Sequence, residues 1–122
     1  MLLIDAANVI GSRPTGWWRD RAGAARTFVG QVRDAVASGR APQPVTVVLE
    51  GKAREGVQEG EAGGVTVVHA PGSGDDTLID IAAQWADAET VLVTADRELR
   101  RRAEALGALV VGPTWLFEHL GS

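Results

Sequence analysis

Five short apolar runs alternate along the chain with segments of helical periodicity, and this alternation is the strongest constraint on the fold. The runs occupy residues 2–4, 45–49, 65–68, 91–93 and 108–111. Each is rich in Val, Leu or Ile with little period-2 alternation, which is typical of strands buried on both faces of a parallel sheet. Amphipathic stripes follow at residues 20–38, 75–86, 96–106 and 114–120. We therefore predict a three-layer α/β/α domain with a central, mostly parallel five-stranded sheet.

Residues 51–64 are the weakest part of this pattern. They hold five glycines and one large apolar residue, Val57. Such a composition predicts at most a short helix within a mobile loop.

The size and composition of the chain exclude several classes of protein. A length of 122 residues fits one domain spanning residues 1–122. The absence of cysteine excludes a disulfide framework, and two histidines argue against a histidine-rich zinc site. No run is long enough for a signal peptide or a membrane span, so we expect a cytoplasmic protein that makes no contact with a membrane.

Basic residues are unevenly distributed in a chain whose formal net charge is −4. The net charge disfavours nucleic-acid binding through global basicity. Arginines nevertheless cluster early, at Arg13, Arg19, Arg21 and Arg26, and again late, at Arg97, Arg100, Arg101 and Arg102. Basic patches beside an acidic centre suit a phosphodiester substrate, although arginines on solvated helix faces are an equally good interpretation.

Two adjacent tryptophans, Trp17 and Trp18, precede the first long helical stripe. Neighbouring side chains in a loop cannot both face one direction, so one is expected to anchor the helix. The other, which we assign to Trp18, is a candidate for stacking on a base beside Arg13 or Arg19. The alternative is that both tryptophans are packing residues.

Acidic or amide side chains follow four of the five predicted strands. They are Asp5 and Asn8 after the first, Glu50 after the second, Asp75 and Asp76 after the third, and Asp96 after the fourth. Ligands of parallel α/β sheets bind at the carboxyl ends of the strands. If the first strand is central, Asp5, Asp96 and the Asp75/Asp76 pair can meet in one pocket.

A cluster of carboxylates does not stay ionised at neutral pH without a cation. Oxygen ligands with few histidines favour Mg²⁺ or Mn²⁺ over zinc. Two such ions about 4 Å apart are the usual apparatus for hydrolysing a phosphodiester. Asn8 is expected either to add a neutral ligand or to hold Asp5 and a metal-bound water in register.

Most of these acids also have a purely structural interpretation. Asp96 precedes a helix and suits an N-cap, and Asp75 and Asp76 suit the positive end of a helix dipole. Asp75 lies on the same helix face as Leu78 and Ala82, which makes it the better ligand of the pair. Asp80 and Asp87 lie opposite the apolar stripe and are expected to be solvated. A structural role explains Asp5 least well, because a charged side chain at the end of a buried strand is costly.

Four segments of the chain resemble the PIN-like nucleases, and within them the NYN group with a YacP-like character. They are Leu3-Ile4-Asp5-Ala-Ala-Asn8-Val-Ile, Val47-Val-Leu-Glu50-Gly51, Gly74-Asp75-Asp76-Thr-Leu-Ile and Val93-Thr94-Ala-Asp96-Arg-Glu-Leu. They occur in the family's order and span almost the whole chain. The opening Asp-x-x-Asn and the Thr-x-Asp-x-x-Leu element are the most specific.

The resemblance implies a three-layer α/β fold and an endoribonuclease that depends on Mg²⁺ or Mn²⁺. Asp5, Asp75 or Asp76, and Asp96 would be the metal ligands, with Asn8 in support. Glu50 stands where many members have aspartate, so it either binds metal through water or lies outside the ligand set. RNA is the expected partner. A ribosome or protein partner, and a monomeric or homodimeric state, stay open.

Two other functions compete with the nuclease. The first is a non-catalytic nucleic-acid- or protein-binding module of the same fold, suggested by the net acidity, the small size and Glu50. The second is a phosphotransfer receiver domain, which also collects acids at strand ends. A receiver needs an aspartate after the third strand and a lysine after the fifth, whereas this chain has His69 and Gly112 there.

Overall fold

A computed structural model of the chain describes residues 1–86 and 88–121. In this part of the chain the strands form one sheet in the order β3-β4-β2-β1-β5-β6. The strands are β1 (Leu2–Asp5), β2 (Val45–Leu49), β3 (Gly60–Ala62), β4 (Val65–His69), β5 (Val91–Val93) and β6 (Leu109–Val111). All neighbours pair in parallel except β3 and β4. The predicted α/β architecture and the central position of the first strand are confirmed.

Five α-helices and two 3₁₀ turns connect the strands within the described residues. The helices are α1 (Ala6–Gly11), α2 (Arg21–Ala37), α3 (Gly74–Gln84), α4 (Arg97–Ala105) and α5 (Pro113–Leu120). The 3₁₀ turns are Trp17–Arg19 and Gly51–Gly56. The four helices predicted from periodicity begin and end within two residues of the predicted limits.

The helices cover both faces of the sheet, which gives the predicted three layers. β1 shows the division, because Leu2 and Ile4 join the core beneath α1, α2 and α5, whereas Leu3 joins the core beneath α3 and α4. All three side chains are at most 2% exposed. A strand covered on both sides has no polar face, and its sequence therefore lacks alternation.

The prediction of five strands is wrong by one, because β3 adds an antiparallel edge strand. Its three residues are all exposed, so no apolar pattern identifies it. It pairs with β4 through the two-residue turn Gly63-Gly64, in which both glycines have positive φ, at 62° and 85°. Glycine is favoured at both positions of such a hairpin turn, and this Gly-Gly pair was the available sequence signal.

The segment between β2 and β3 is more ordered than its glycine content predicts. The short helix is present as the 3₁₀ turn at Gly51–Gly56, and this turn lies against α2. A Cβ atom added at Gly56 would lie 2.0 Å from the carbonyl oxygen of Ala22. Only glycine permits so close an approach of the two backbones.

No helix in the described part of the chain is long and apolar enough to cross a membrane.

Candidate acidic site at the carboxyl edge of the sheet

β1 lies where the sheet order reverses. The chain leaves β1 for β2 on one side and later returns to β5 on the other. The crevice at the carboxyl ends of β1 and β5 is therefore the expected ligand site of an open α/β sheet. Asp5 ends β1 on one side of this crevice, and Thr94 to Asp96 follow β5 on the other.

Asp5 is buried, with 5% of its surface exposed, and both of its carboxylate oxygens accept hydrogen bonds. The backbone N–H of Asn8 donates to Oδ1 over 3.4 Å, so that Asp5 is the N-cap of α1. The hydroxyl of Thr94 donates to Oδ2 over 2.9 Å. The sequence reasoning missed α1 and therefore this capping role, although an aspartate before Ala-Ala-Asn-Val-Ile is a helix-start signal.

The environment of Asp5 opposes its charge. Burial raises the pKa of Asp5 from 3.8 to about 6, against the lowering effect of the hydrogen bonds from Thr94 and Asn8. The negative charges of Asp75 and Glu50 raise it further. The carboxyl group therefore titrates close to neutrality, which is typical of acids in functional sites.

Thr94 links the two sides of the crevice, and its role was not predicted. Its side chain is buried, donates to Asp5 and accepts from the backbone N–H of Asp96 over 3.1 Å. Beside it, the backbone N–H of Ala95 donates to Oδ1 of Asn8 over 2.8 Å. These bonds fix the loop after β5 against the start of α1. Asn8 thus fixes the neighbouring loop, a contact that differs from the two roles predicted for it.

Thr94→Val is expected to lower the free energy of unfolding by about 1.5 kcal/mol, because the buried Asp5 oxygen and the Asp96 N–H both lose a partner. Thr90 provides a matched control. Its buried hydroxyl has no hydrogen-bond partner among the described residues, so Thr90→Val should be neutral or stabilising. Urea denaturation of both variants measures the difference. Equal destabilisation by the two substitutions would show that the Thr94 hydroxyl does not hold the site together.

Asp75 and Asp76 begin α3 and differ in their surroundings. Asp75 is half-buried, and burial followed by the charge of Asp96 raises the pKa of its carboxyl group. Asp76 is exposed and pairs with Arg102 over 2.8 Å. Asp75 is thus the more buried of the two carboxylates, whereas Asp76 is exposed and held by an arginine on α4.

Glu50 lies directly after β2, next to the start of α3. A Cβ atom added at Gly74 would lie 3.3 Å from Oε1 of Glu50, so glycine leaves room for this carboxylate. Glu50 is half-buried and contributes to the raised pKa of Asp5. The longer acid thus reaches the same edge as the aspartates.

Asp96 is the N-cap of α4, as its structural interpretation predicts. Its Oδ1 accepts from the backbone N–H of Leu99 over 2.9 Å. Its charge also acts on Asp75. Arg97 follows in the first turn of α4 with an exposed side chain. Asp80 is exposed as expected, whereas Asp87 lies outside the described residues.

Asp5, Glu50, Asp75 and Asp96 thus occupy one edge. The charges of Asp75 and Glu50 act on Asp5, and the charge of Asp96 acts on Asp75. No three acidic or histidine side chains in residues 1–86 and 88–121 lie close enough to hold one metal ion together. Their donor chemistry still fits Mg²⁺ or Mn²⁺, because every group is a hard oxygen ligand. Burial is the main cause of the raised pKa values of Asp5 and Asp75, and repulsion from neighbouring carboxylates, which a cation would relieve, adds to it.

The predicted substrate-binding residues of the early arginine cluster lie around the first 3₁₀ turn. Trp18 is 52% exposed and Trp17 is half-buried, so the two adjacent rings differ in exposure. The guanidinium of Arg19 lies 5.8 Å from the ring centroid of Trp18. Arg13 lies 3.5 Å from the ring centroid of Phe117 on α5. The cluster is therefore an alternation of cations and aromatic rings.

The sheet order and the three layers define an α/β domain with a PIN-like fold. Its fold is that of a mutant of Rae1 (YacP) from Bacillus subtilis, an NYN domain protein, with a TM-score of 0.70. The match has 18% sequence identity and covers 98% of this chain and 73% of that chain. At this identity the likeness establishes the fold, and it confirms the fold to which the sequence motifs pointed. Comparison with models of protein families and with curated proteins gives no match.

Proposed function

We propose that the chain is a metal-dependent endoribonuclease whose centre is the acidic edge around Asp5. The observation that carries this proposal is a buried, ionisable Asp5 at the switch point of the sheet, surrounded by further carboxylates. A buried charge is costly, and a fold that retains one needs a compensating partner. We propose the cytoplasm as the compartment and RNA, alone or held by a ribosome or another protein, as the substrate.

In this proposal Asp5, Asp75 and Asp96 hold Mg²⁺ or Mn²⁺, with Glu50 beside them. When bound, the cation would supply Lewis-acid stabilisation of charge on the phosphodiester and lower the pKa of water. Thr94 and Asn8 orient the centre, because they tie Asp5 and the loop of Asp96 together. Asp76 adds negative charge at the rim while Arg102 holds it. Arg13, Trp18, Arg19 and Arg97 are proposed to bind the RNA.

Asp75→Asn is expected to lower cleavage of single-stranded RNA at least about 10²-fold, since one of the few ligands of the cation loses its charge. Asp80→Asn is the matched control, because it removes an exposed carboxylate from the same helix. A gel assay with Mg²⁺, Mn²⁺ or EDTA measures both variants. Equal rates in the two variants, or cleavage that EDTA does not stop, would contradict the proposed site.

A second candidate is a non-catalytic RNA-binding module of the same fold. It is favoured by the absence, among the described residues, of three acids close enough to share an ion. Isothermal titration with Mn²⁺ separates the two candidates. The nuclease requires cation binding that Asp75→Asn weakens, whereas a binding module retains RNA affinity without it.

A further inference from the structure

Two clefts lie next to each other along one side of the acidic edge. The smaller has a volume of about 290 Å³ and is lined by Ala7, Trp17, Arg21 and Glu50 among others. The larger has a volume of about 550 Å³ and is lined by Arg13, Trp17, Arg26 and Phe117 among others. Ile10 and Trp17 line both clefts. The two clefts thus adjoin at Trp17 and extend from Glu50 to Arg26.

Two of the three arginines that line these clefts lie over aromatic rings. Arg13 lies over Phe117, and the guanidinium of Arg21 lies 5.3 Å from the ring centroid of Trp17. The ion pairs of the described residues, Arg101 with Glu98 and Arg102 with Asp76, involve neither cleft. Stacked guanidinium groups keep their N–H donors available for phosphate oxygens.

Few carboxylates oppose these cations within the clefts. Asp20 lines the larger cleft, but its Oδ1 accepts from the backbone N–H of Gly23 as the N-cap of α2. Glu50 lies at the end of the smaller cleft nearest the acidic edge. The charge therefore changes from negative beside Asp5 to positive beside Arg13 and Arg26.

We propose that the two clefts form one track for single-stranded RNA that leads to the acidic edge. Arg21 and Arg26 contact successive phosphates, and Trp17 offers its ring to an unstacked base between them. Aromatic rings beside a basic groove are the usual means of binding unpaired strands, whose bases are free to stack on protein. A duplex keeps its bases stacked internally and gains nothing from Trp17. The inference rests on the proposed function for the direction of the track, but RNA binding itself needs no cleavage.

Fluorescence anisotropy with a labelled oligouridylate, in EDTA, tests the track without catalysis. Arg21→Ala and Arg26→Ala should each weaken binding about fivefold. Each should also reduce the slope of log affinity against log salt by about 0.7, the value for one phosphate contact on a single strand. Arg40→Ala is the matched control, because Arg40 is an exposed arginine after the opposite end of α2.

The track is overturned if wild type does not bind the oligouridylate, if Arg40→Ala weakens binding as much as Arg21→Ala, or if a duplex of equal length binds equally well. Unchanged melting temperatures show that the variants remain folded, and the charge reversal Arg26→Glu should weaken binding further. A separate result would refute the proposed nuclease activity. Loss of RNA affinity in the arginine variants, with no metal-dependent cleavage by wild type, supports the track and refutes the enzyme.

Discussion

Asp5→Asn should lower metal-dependent cleavage of RNA at least about 10³-fold, the largest loss expected of any single substitution in this chain. Asp5 ends the central strand, and the charges of Asp75 and Glu50 both act on it. Asparagine preserves the shape of the side chain and removes the charge that a cation requires. The measurement is kcat/KM on single-stranded RNA with saturating Mg²⁺ or Mn²⁺.

The same variant distinguishes catalysis from RNA binding. Asp5 is buried, so Asp5→Asn should bind oligouridylate in EDTA with unchanged or slightly higher affinity. Calorimetric titration with Mn²⁺ should show a weakened cation site. Cleavage within tenfold of wild type would remove Asp5 from the catalytic centre and leave the raised pKa as a consequence of burial alone.

The part of the fold that the sequence predicts correctly depends on burial. β1 and β2 are continuous apolar runs because helices cover both faces, and α2, α3, α4 and α5 show the periodicity of half-buried helices. The same burial patterns do not predict β3 and α1. β3 is held by backbone pairing and by a hydrogen bond from the N–H of Gly64 to the side chain of Glu61, and it has no buried side chain. α1 has six residues, which is too short for a periodic stripe.

The sequence predicts the positions of the acidic residues at the site, because these positions depend on where the strands end. Parallel strands deliver their carboxyl ends to one edge, so the positions of Asp5, Glu50, Asp75 and Asp96 follow from sequence order alone. The contacts of these side chains do not follow in this way. The pairing of Asp76 with Arg102 joins residues 26 positions apart, on two helices whose approach depends on packing. The bond from Thr94 to Asp5 spans 89 positions.

Asp5→Asn is also expected to stabilise the protein at neutral pH, by about 2 kcal/mol in the free energy of unfolding. A pKa raised from 3.8 to about 6 corresponds to roughly 3 kcal/mol of cost for the buried charge. Asparagine avoids that cost. The side chain of asparagine accepts only one of the two hydrogen bonds from Asn8 and Thr94 without rearrangement. The lost hydrogen bond reduces the gain in stability by about 1 kcal/mol.

The pH dependence of this gain has a definite sign. The folded carboxyl group titrates near pH 6 and the unfolded one near 3.8, so between these values the folded state binds more protons. The wild-type free energy of unfolding therefore falls as the pH rises through this window. The advantage of Asp5→Asn should be complete above about pH 6 and lost below about pH 4.

Urea denaturation of wild type and Asp5→Asn between pH 4 and 8, in EDTA, measures this difference. Asp80→Asn is the control, because it removes an exposed carboxylate whose charge costs the fold little. At pH 7.5, Mg²⁺ should reduce the difference in free energy of unfolding between Asp5→Asn and wild type. A cation that binds the folded wild type stabilises it and has less effect on the variant. Destabilisation by Asp5→Asn at pH 7.5 would mean that the hydrogen bonds of Asp5 outweigh its burial cost, and that the fold retains this acid for its structure.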